Sequence, residues 1–339
     1  MVMANHETPY DDLQVIVPGA MHTVISVIGV PELPGEGQDA FGPELHIGSG
    51  GKSRNIAEMT GWLAGPGRVA MISQTARDQY GLWKIPYDAL HDAGVNTEHV
   101  RIADYATTGL YPGLAMVSVD QHGNRNASVY QTVMDSFSEE NIDAALPMFE
   151  AAARNDGILA LSMELPYETA VHAMKRGHET GLRTILDPGG LAVRSRYDEL
   201  FQHKPYLVKP NEHEAEQLTG QRIMGLTTAR KAAQILMWKG AQNVLITDAE
   251  RGAYLFRAMD DIGDHLPAPR VNDAVTQTDA TGCGDQVMGA LCASLGRGED
   301  LLRASRIGVI AGTMQYMRPG TPPVKQHELQ PLIDNPLIV

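Results

Sequence analysis

The chain has 339 residues, 43% of them hydrophobic and 20% charged, and its 41 Asp plus Glu against 27 Lys plus Arg give a formal net charge of −14. A length above the roughly 250–300 residues at which single cores stop growing predicts one large domain with an addition. The acidic balance speaks against nucleic acid, whose binding needs clustered cations, and no apolar run approaches the ~20 residues that span a bilayer. Two cysteines, Cys283 and Cys292, make neither a disulfide framework nor a zinc set. With Glu7, Asp11 and Asp12, the N-terminus lacks the basic and apolar regions of a signal peptide, so a soluble cytoplasmic protein is expected.

In chain order, 15–17 reads as a buried strand ended by Pro18-Gly19. The stretches 22–48 and 105–131 mix Gly, Pro and Thr with alternating runs such as Leu114-Ala115-Met116-Val117-Ser118-Val119. Closed by the turn-forming residues 120–124, this text predicts antiparallel strands and hairpins. Between them, Ile56, Met59, Thr60 and Leu63 fall at helical spacing over 53–63. Apolar runs then recur at 157–161, 184–186, 206–208 and 244–246, separated by helix-length segments, and Ala229, Ala232, Ala233 and Leu236 form a helical stripe. Strand, helix, strand at this spacing predicts a mostly parallel sheet with helices on both faces. The two β-rich excursions are expected to pair into one small sheet covering that core. The Pro-rich tail, 319–336, reads as surface coil.

Three motifs carry chemistry. Asp279-Ala280-Thr281-Gly282-Cys283-Gly284-Asp285 precedes a helix over 286–295 with Val287, Met288, Leu291 and Leu295 on one side. Glycines opening a helix let N–H groups converge where the helix dipole favours an anion, which suits a phosphoryl group. Asp285, beside that point, is a candidate general base or else a helix cap. Gly48-Ser49-Gly50-Gly51-Lys52-Ser53-Arg54-Asn55 also opens a helix. It ends like G-x-x-x-x-G-K-[ST], but position 46 is His46 rather than glycine and no buried strand precedes it, so a P-loop is rejected. Gly50 and Gly51 instead allow close backbone approach to a ligand, and the Asn55 amide offers donor and acceptor to a polyol. Lys209-Pro210-Asn211-Glu212-His213-Glu214 follows the 206–208 strand, and Asp187 and Thr247 end two others. Ligands lie beyond the carboxyl ends of strands in such sheets. Asn211 and Glu214, three apart, could face one ligand and hold hydrated Mg²⁺, although each alone also suits a helix cap.

Together the motifs resemble the ribokinase-like (PfkB) carbohydrate kinases. Asp279–Asp285 is similar to their C-terminal D-T-x-G-A-G-D signature, Gly50-Gly51-Lys52 with Asn55 to their N-terminal one, and Asn211–Glu214 to their N-x-x-E motif. Thr108-Gly109, and Thr247 within 246–253, add to the likeness, which runs from about 13 to 322. The resemblance implies a doubly wound α/β domain over 13–322 with a β-sheet lid from about 22–50 and 105–131, and terminal extensions at 1–12 and 323–339. It implies transfer of the γ-phosphate of Mg-ATP to a hydroxyl of a sugar or sugar derivative. By position, Asp285 would be the base and the amides of Gly282, Cys283 and Gly284 the anion hole. Asn211, Thr247 and Gly252 would serve the nucleotide, Glu214 would hold Mg²⁺ through water, and Gly50, Gly51 and Asn55 would meet the acceptor. The family often binds a monovalent cation near positions resembling Asp279 and Thr281, which extends the implication to K⁺. Exposed lid strands offer edges for a homodimer.

The departures are specific. Ala280 replaces the usual Thr, Ala249 a customary Gly, and Cys283 the usual Ala. The Cys283 thiol, at the positive end of a helix, is either acidified and oxidisable or buried and inert. No carboxylate follows Gly19 where the family grips two sugar hydroxyls; His22 or Thr23 would substitute, or the acceptor lacks that pair. A nucleoside kinase of the same fold and a non-catalytic sugar- or nucleotide-binding protein are the alternatives. A Rossmann oxidoreductase lacks its G-x-G-x-x-G after the first strand.

Overall fold

Short runs of Val, Ile and Leu, buried on both faces, build the larger of two sheets. The computed structural model describes residues 10–190, 197–258, 262–271, 278–318 and 320–334. In chain order its strands are β1 (Val15–Pro18), β2 (His22–Val30), β3 (Glu44–Gly50), β4 (Val69–Arg77), β5 (Val100–Asp104), β6 (Gly113–Asp120), β7 (Arg125–Tyr130), β8 (Ile158–Ser162), β9 (Arg183–Asp187), β10 (Leu207–Val208), β11 (Asn243–Thr247), β12 (Ala253–Arg257) and β13 (Asp264–Leu266). Nine strands pair in the order β13-β12-β11-β10-β9-β8-β1-β4-β5. All neighbours are parallel except at the β12 and β13 edge.

Alternation along β1 shows why the strands read as unbroken apolar text. Ile16 packs with Phe149, Met174 and Leu236 in one layer, whereas Val15 and Val17 pack with Ile56, Leu291 and Ala304 in the other. Helices Leu146–Arg154, Tyr167–Thr180 and Leu226–Lys239 supply the first layer, and Lys52–Ala64, Cys283–Gly296 and Leu301–Tyr316 the second. The sheet is therefore covered on both faces, as parallel sheets are.

The two β-rich excursions do form one second sheet, in the order β3-β2-β6-β7. β2 with β3 and β6 with β7 are antiparallel, but β2 and β6 run parallel, contrary to the all-antiparallel expectation. Each is the outgoing strand of its excursion, so the two leave the large sheet in the same direction. Register places His22 between Gly50 and Gly113.

The tail departs from the sequence reading. Gln326–Asp334 is a helix despite Pro331, not surface coil. Val324 and Leu329 are fully buried against Leu63, Ala290 and Met314, and that burial overrides the proline-rich text. Residues 319 and 335–336 of the tail lie outside the described residues, as do 1–9. No helix among the described residues is long and apolar enough to cross a membrane.

Candidate active site

Two helix N-termini converge on Asp285. Gly289 lies against the backbone of the neighbouring helix, where a Cβ would stand 2.8 Å from Met59 Cβ and 3.2 Å from Thr60 N. One turn earlier on each helix, the close approach brings Asn55 to Asp285, and Asn55 Nδ2 donates to Asp285 Oδ2 at 2.7 Å. Lys52 Nζ donates to the other oxygen at 3.2 Å. Asp285 is 5% exposed. The predicted base is thus buried, fixed and paired. Asn55, expected to offer both polar atoms to a ligand, uses them within the protein, because Oδ1 accepts from Arg54 Nη2.

Strand ends supply the next ring. Asp187, ending β9, receives Lys209 Nζ at 2.9 Å and Lys52 Nζ at 3.6 Å on the same oxygen. Glu164, two residues beyond β8, accepts the Lys52 backbone N–H. Burial, then the nearby Asp285, pushes the Glu164 carboxyl up to about 7. Burial opposes the charge of Lys52, but Asp187, Asp285, Glu214 and Glu164 outweigh it and hold the amine well above the usual lysine range. Lys52, Glu164 and Lys209 were not among the expected site residues. The strand-end rule that singled out Asp187 would have found Glu164 had it been applied to β8.

The 279–285 loop is tied from both sides. Asp279 Oδ1 accepts from Thr281 N and Oδ2 from Gly320 N, each at 2.8 Å. Gly282, the N-cap, has φ +75°, the left-handed region glycine tolerates. Cys283 N donates back to Ala280 O at 3.3 Å, so its amide is not a free anion-hole donor as expected. Among the described residues, the N–H groups of Gly282, Gly284 and Asp285 have no acceptor. The Cys283 thiol is not acidified: burial, then Asp279 and Asp285, push it up to about 12. The helix dipole loses to desolvation and two carboxylates. From the second sheet, Arg125 Nη1 reaches Thr281 Oγ1 at 3.3 Å, and Ser49 O accepts from Thr321 Oγ1 at 3.1 Å.

Asn211 and Glu214 form a reciprocal cap, each side chain accepting the other's backbone N–H at 2.8 Å. The second oxygen of Glu214 and Oδ1 of Asp187 both border the space that a side chain at Gly189 would fill, 2.6 and 2.9 Å from it. Burial, then Asp187, raises the Glu214 carboxyl. Thr247 is bridged in parallel to Asn211. Gly252 packs against the Leu266 carbonyl, and Ala249, nearby, is held at φ +42°. No group of three His, Cys, Asp or Glu side chains among the described residues is placed to hold a metal.

Of the two residues expected to replace the missing carboxylate, Thr23 Oγ1 donates to Leu82 O, which leaves His22. His22 is 4% exposed, and its Nε2 has no partner among the described residues. Burial, then Arg54, lowers its pKa to about 4, so the imidazole is neutral at pH 7. Gly50 and Gly51 lie beside it, leading into the Lys52–Ala64 helix.

Comparison with known proteins gives the family and the fold. Residues 16–326 match the model of the pfkB family carbohydrate kinases, and the chain belongs to that family. It is 27% identical over 290 residues to a deoxyribokinase of Salmonella typhi, covering 86% of this chain and 88% of that one. The structure of Arabidopsis thaliana ribokinase complexed with ribose and ATP superposes with a TM-score of 0.81 at 23% identity, over 95% of this chain and 98% of that one. A Burkholderia thailandensis nucleoside kinase in complex with inosine superposes at 0.70 and 18% identity, over 94% and 97%.

Proposed function

We propose that the protein transfers the γ-phosphate of ATP to a hydroxyl of a sugar or sugar derivative. The observation that carries this reading is the buried Asp285 carboxylate, held by Asn55 and Lys52 at the mouth of a helix whose first N–H groups have no acceptor among the described residues. Asp285 takes the proton of the attacking hydroxyl. The amides of Gly282, Gly284 and Asp285 and the amines of Lys52 and Lys209 meet the charge on the transferring group. Asn211, Thr247 and Gly252 border the nucleotide side; Gly50, Gly51, His22 and Asn55 border the acceptor side. Two neighbouring carboxylates, Glu214 and Asp187, suit a hard cation that keeps waters and phosphate oxygens, so Mg²⁺ fits here and would neutralise phosphate charge. K⁺ beside Asp279 and Thr281, a cytoplasmic setting where Mg-ATP is supplied, and a homodimer through the second sheet complete the proposal. Ile25, Ile47 and Met116 lie side by side on one face of that sheet, Ile47 and Met116 about half exposed, which supports the dimer.

The test is ADP release from ATP with pentoses, deoxypentoses, sugar acids and nucleosides, with Mg²⁺ or K⁺ withheld in turn. Turnover of a free sugar is expected. Turnover confined to nucleosides would move the reading to a nucleoside kinase, and none with any acceptor would support a binding protein. Sedimentation reads the oligomeric state.

A further inference from the structure

Arg54 is fully buried, one residue before Asn55 and one turn before Glu58, which is 6% exposed. An isolated buried guanidinium is costly, and even a paired one is seldom more stable than an apolar replacement. Its hydrogen bonds are therefore informative. Nη1 donates to Glu58, Nη2 donates to Asn55 Oδ1, and Nε donates to Gly50 O at 3.3 Å. Glu58 thus anchors one arm of the planar fork while the other arm grips the Asn55 amide. The amide has one acceptor end and one donor end. Turned over, it would set Oδ1 against the Asp285 carboxylate and Nδ2 against the guanidinium, acceptor on acceptor and donor on donor. The buried cation permits a single amide orientation, the one in which Nδ2 donates to Asp285 Oδ2.

We propose that Arg54, anchored by Glu58 and acting through Asn55, is a positioning residue that fixes the orientation of the Asp285 carboxylate. Its effect on turnover rests on the kinase reading above; its effect on Asn55 does not. A general base must present its oxygen to the hydroxyl within a narrow geometry, and small misplacements cost large factors in rate. Asp285 has Lys52 on Oδ1 and Asn55 on Oδ2, so loss of the second contact frees the carboxylate to rotate towards the amine.

Two double variants test this without leaving a lone buried charge. Arg54→Met with Glu58→Met removes charge and hydrogen bonds; Arg54→Gln with Glu58→Gln removes the charge but keeps a donor for Asn55 Oδ1. In crystal structures, Asn55 Nδ2 should stay on Asp285 in the Gln pair and leave it in the Met pair. In turnover, kcat should fall on the order of tenfold or more in the Met pair and recover most of that loss in the Gln pair, with ADP affinity unchanged in both. Arg54→Lys keeps the ion pair with Glu58 but lacks the second arm, and should match the Met pair; it serves where the Met pair does not fold. An unmoved Asn55 in the Met pair or in Arg54→Lys, wild-type kcat in either, or equal losses in Gln and Met pairs would overturn the proposal. A wild-type protein inactive with every acceptor would defeat the kinase reading instead, while the crystal structures still decide the positioning of Asn55.

Discussion

Asn55 and Asp285, 230 residues apart in the chain, meet at 2.7 Å in the interior. The contact joins the two motifs that open helices and gives the carboxylate a donor on the side away from Lys52. Asp285→Asn keeps the shape but cannot accept a proton. Turnover should fall about 10²–10⁴-fold with ADP affinity retained, measured by steady-state kinetics and calorimetry. Unchanged turnover removes the general-base role.

Gly289 sets the approach of the two helices. A helical Gly→Ala change ordinarily stabilises by roughly 0.5–1 kcal/mol. Here the new Cβ would meet backbone and Cβ atoms of Met59 and Thr60 that cannot swing aside. Gly289→Ala should destabilise by about 1–3 kcal/mol in urea unfolding and also lower kcat, because the same displacement separates Asn55 from Asp285.

Ala249 pays for a left-handed backbone with φ +42°. Ala249→Gly should raise stability by a few tenths to about 1 kcal/mol, the relief of strain being partly offset by the freer unfolded chain. Ala249→Val should lower it, since β-branched residues fit that region worst. Denaturant midpoints distinguish the two.

His22 makes stability depend on pH. Its folded pKa, about 4, lies below the usual histidine value of 6.5, so between these the unfolded chain binds the proton and the native one does not. The contribution is complete above about pH 6.5 and is lost as pH falls towards 4, with a slope of at most roughly 1.4 kcal/mol per pH unit. In His22→Gln this limb should flatten in melts taken from pH 7 to 4; an unchanged slope refutes the assignment.

Both thiols are pushed up to about 12, Cys292 by burial and Cys283 by burial with Asp279 and Asp285. Neither should react measurably with a thiol-specific disulfide reagent in the native protein at pH 8, and both should react after unfolding. Rapid native labelling of Cys283 would contradict its surroundings.

What the sequence disclosed depended on whether the cause was local. Buried runs such as 15–17 and 244–246 announce parallel strands because both faces need apolar atoms, and Gly282, held at φ +75°, announces a helix mouth because few other residues can stand there. The parallel pairing of β2 with β6 was hidden, since alternation is the same in either direction. Lys52 was legible as part of the Gly50-Gly51-Lys52 likeness but not as an ion-pairing amine, because its four carboxylate neighbours come from β9, the segment after β8 and the Glu212–Thr219 and Cys283–Gly296 helices. For the Cys283 thiol the inert alternative holds; the helix end is visible in sequence, the desolvation that outweighs it is not.

The second sheet carries His22, proposed above for the acceptor side, and meets the other half of the site through Ser49 against Thr321 and Arg125 against Thr281. Arg125 follows a turn whose shape Asp120 fixes by accepting from His122 N, Asn124 N and Asn124 Nδ2. These contacts sit on strands laced edge to edge in the order β3-β2-β6-β7. A hydrogen-bonded sheet behaves as one plate, so a displacement that carried His22 away from the large sheet would also withdraw the Arg125 guanidinium from the glycine loop and slacken the clasp on Thr321. Loss of His22 from one side and of the Arg125 charge from the other would then be one mechanical event.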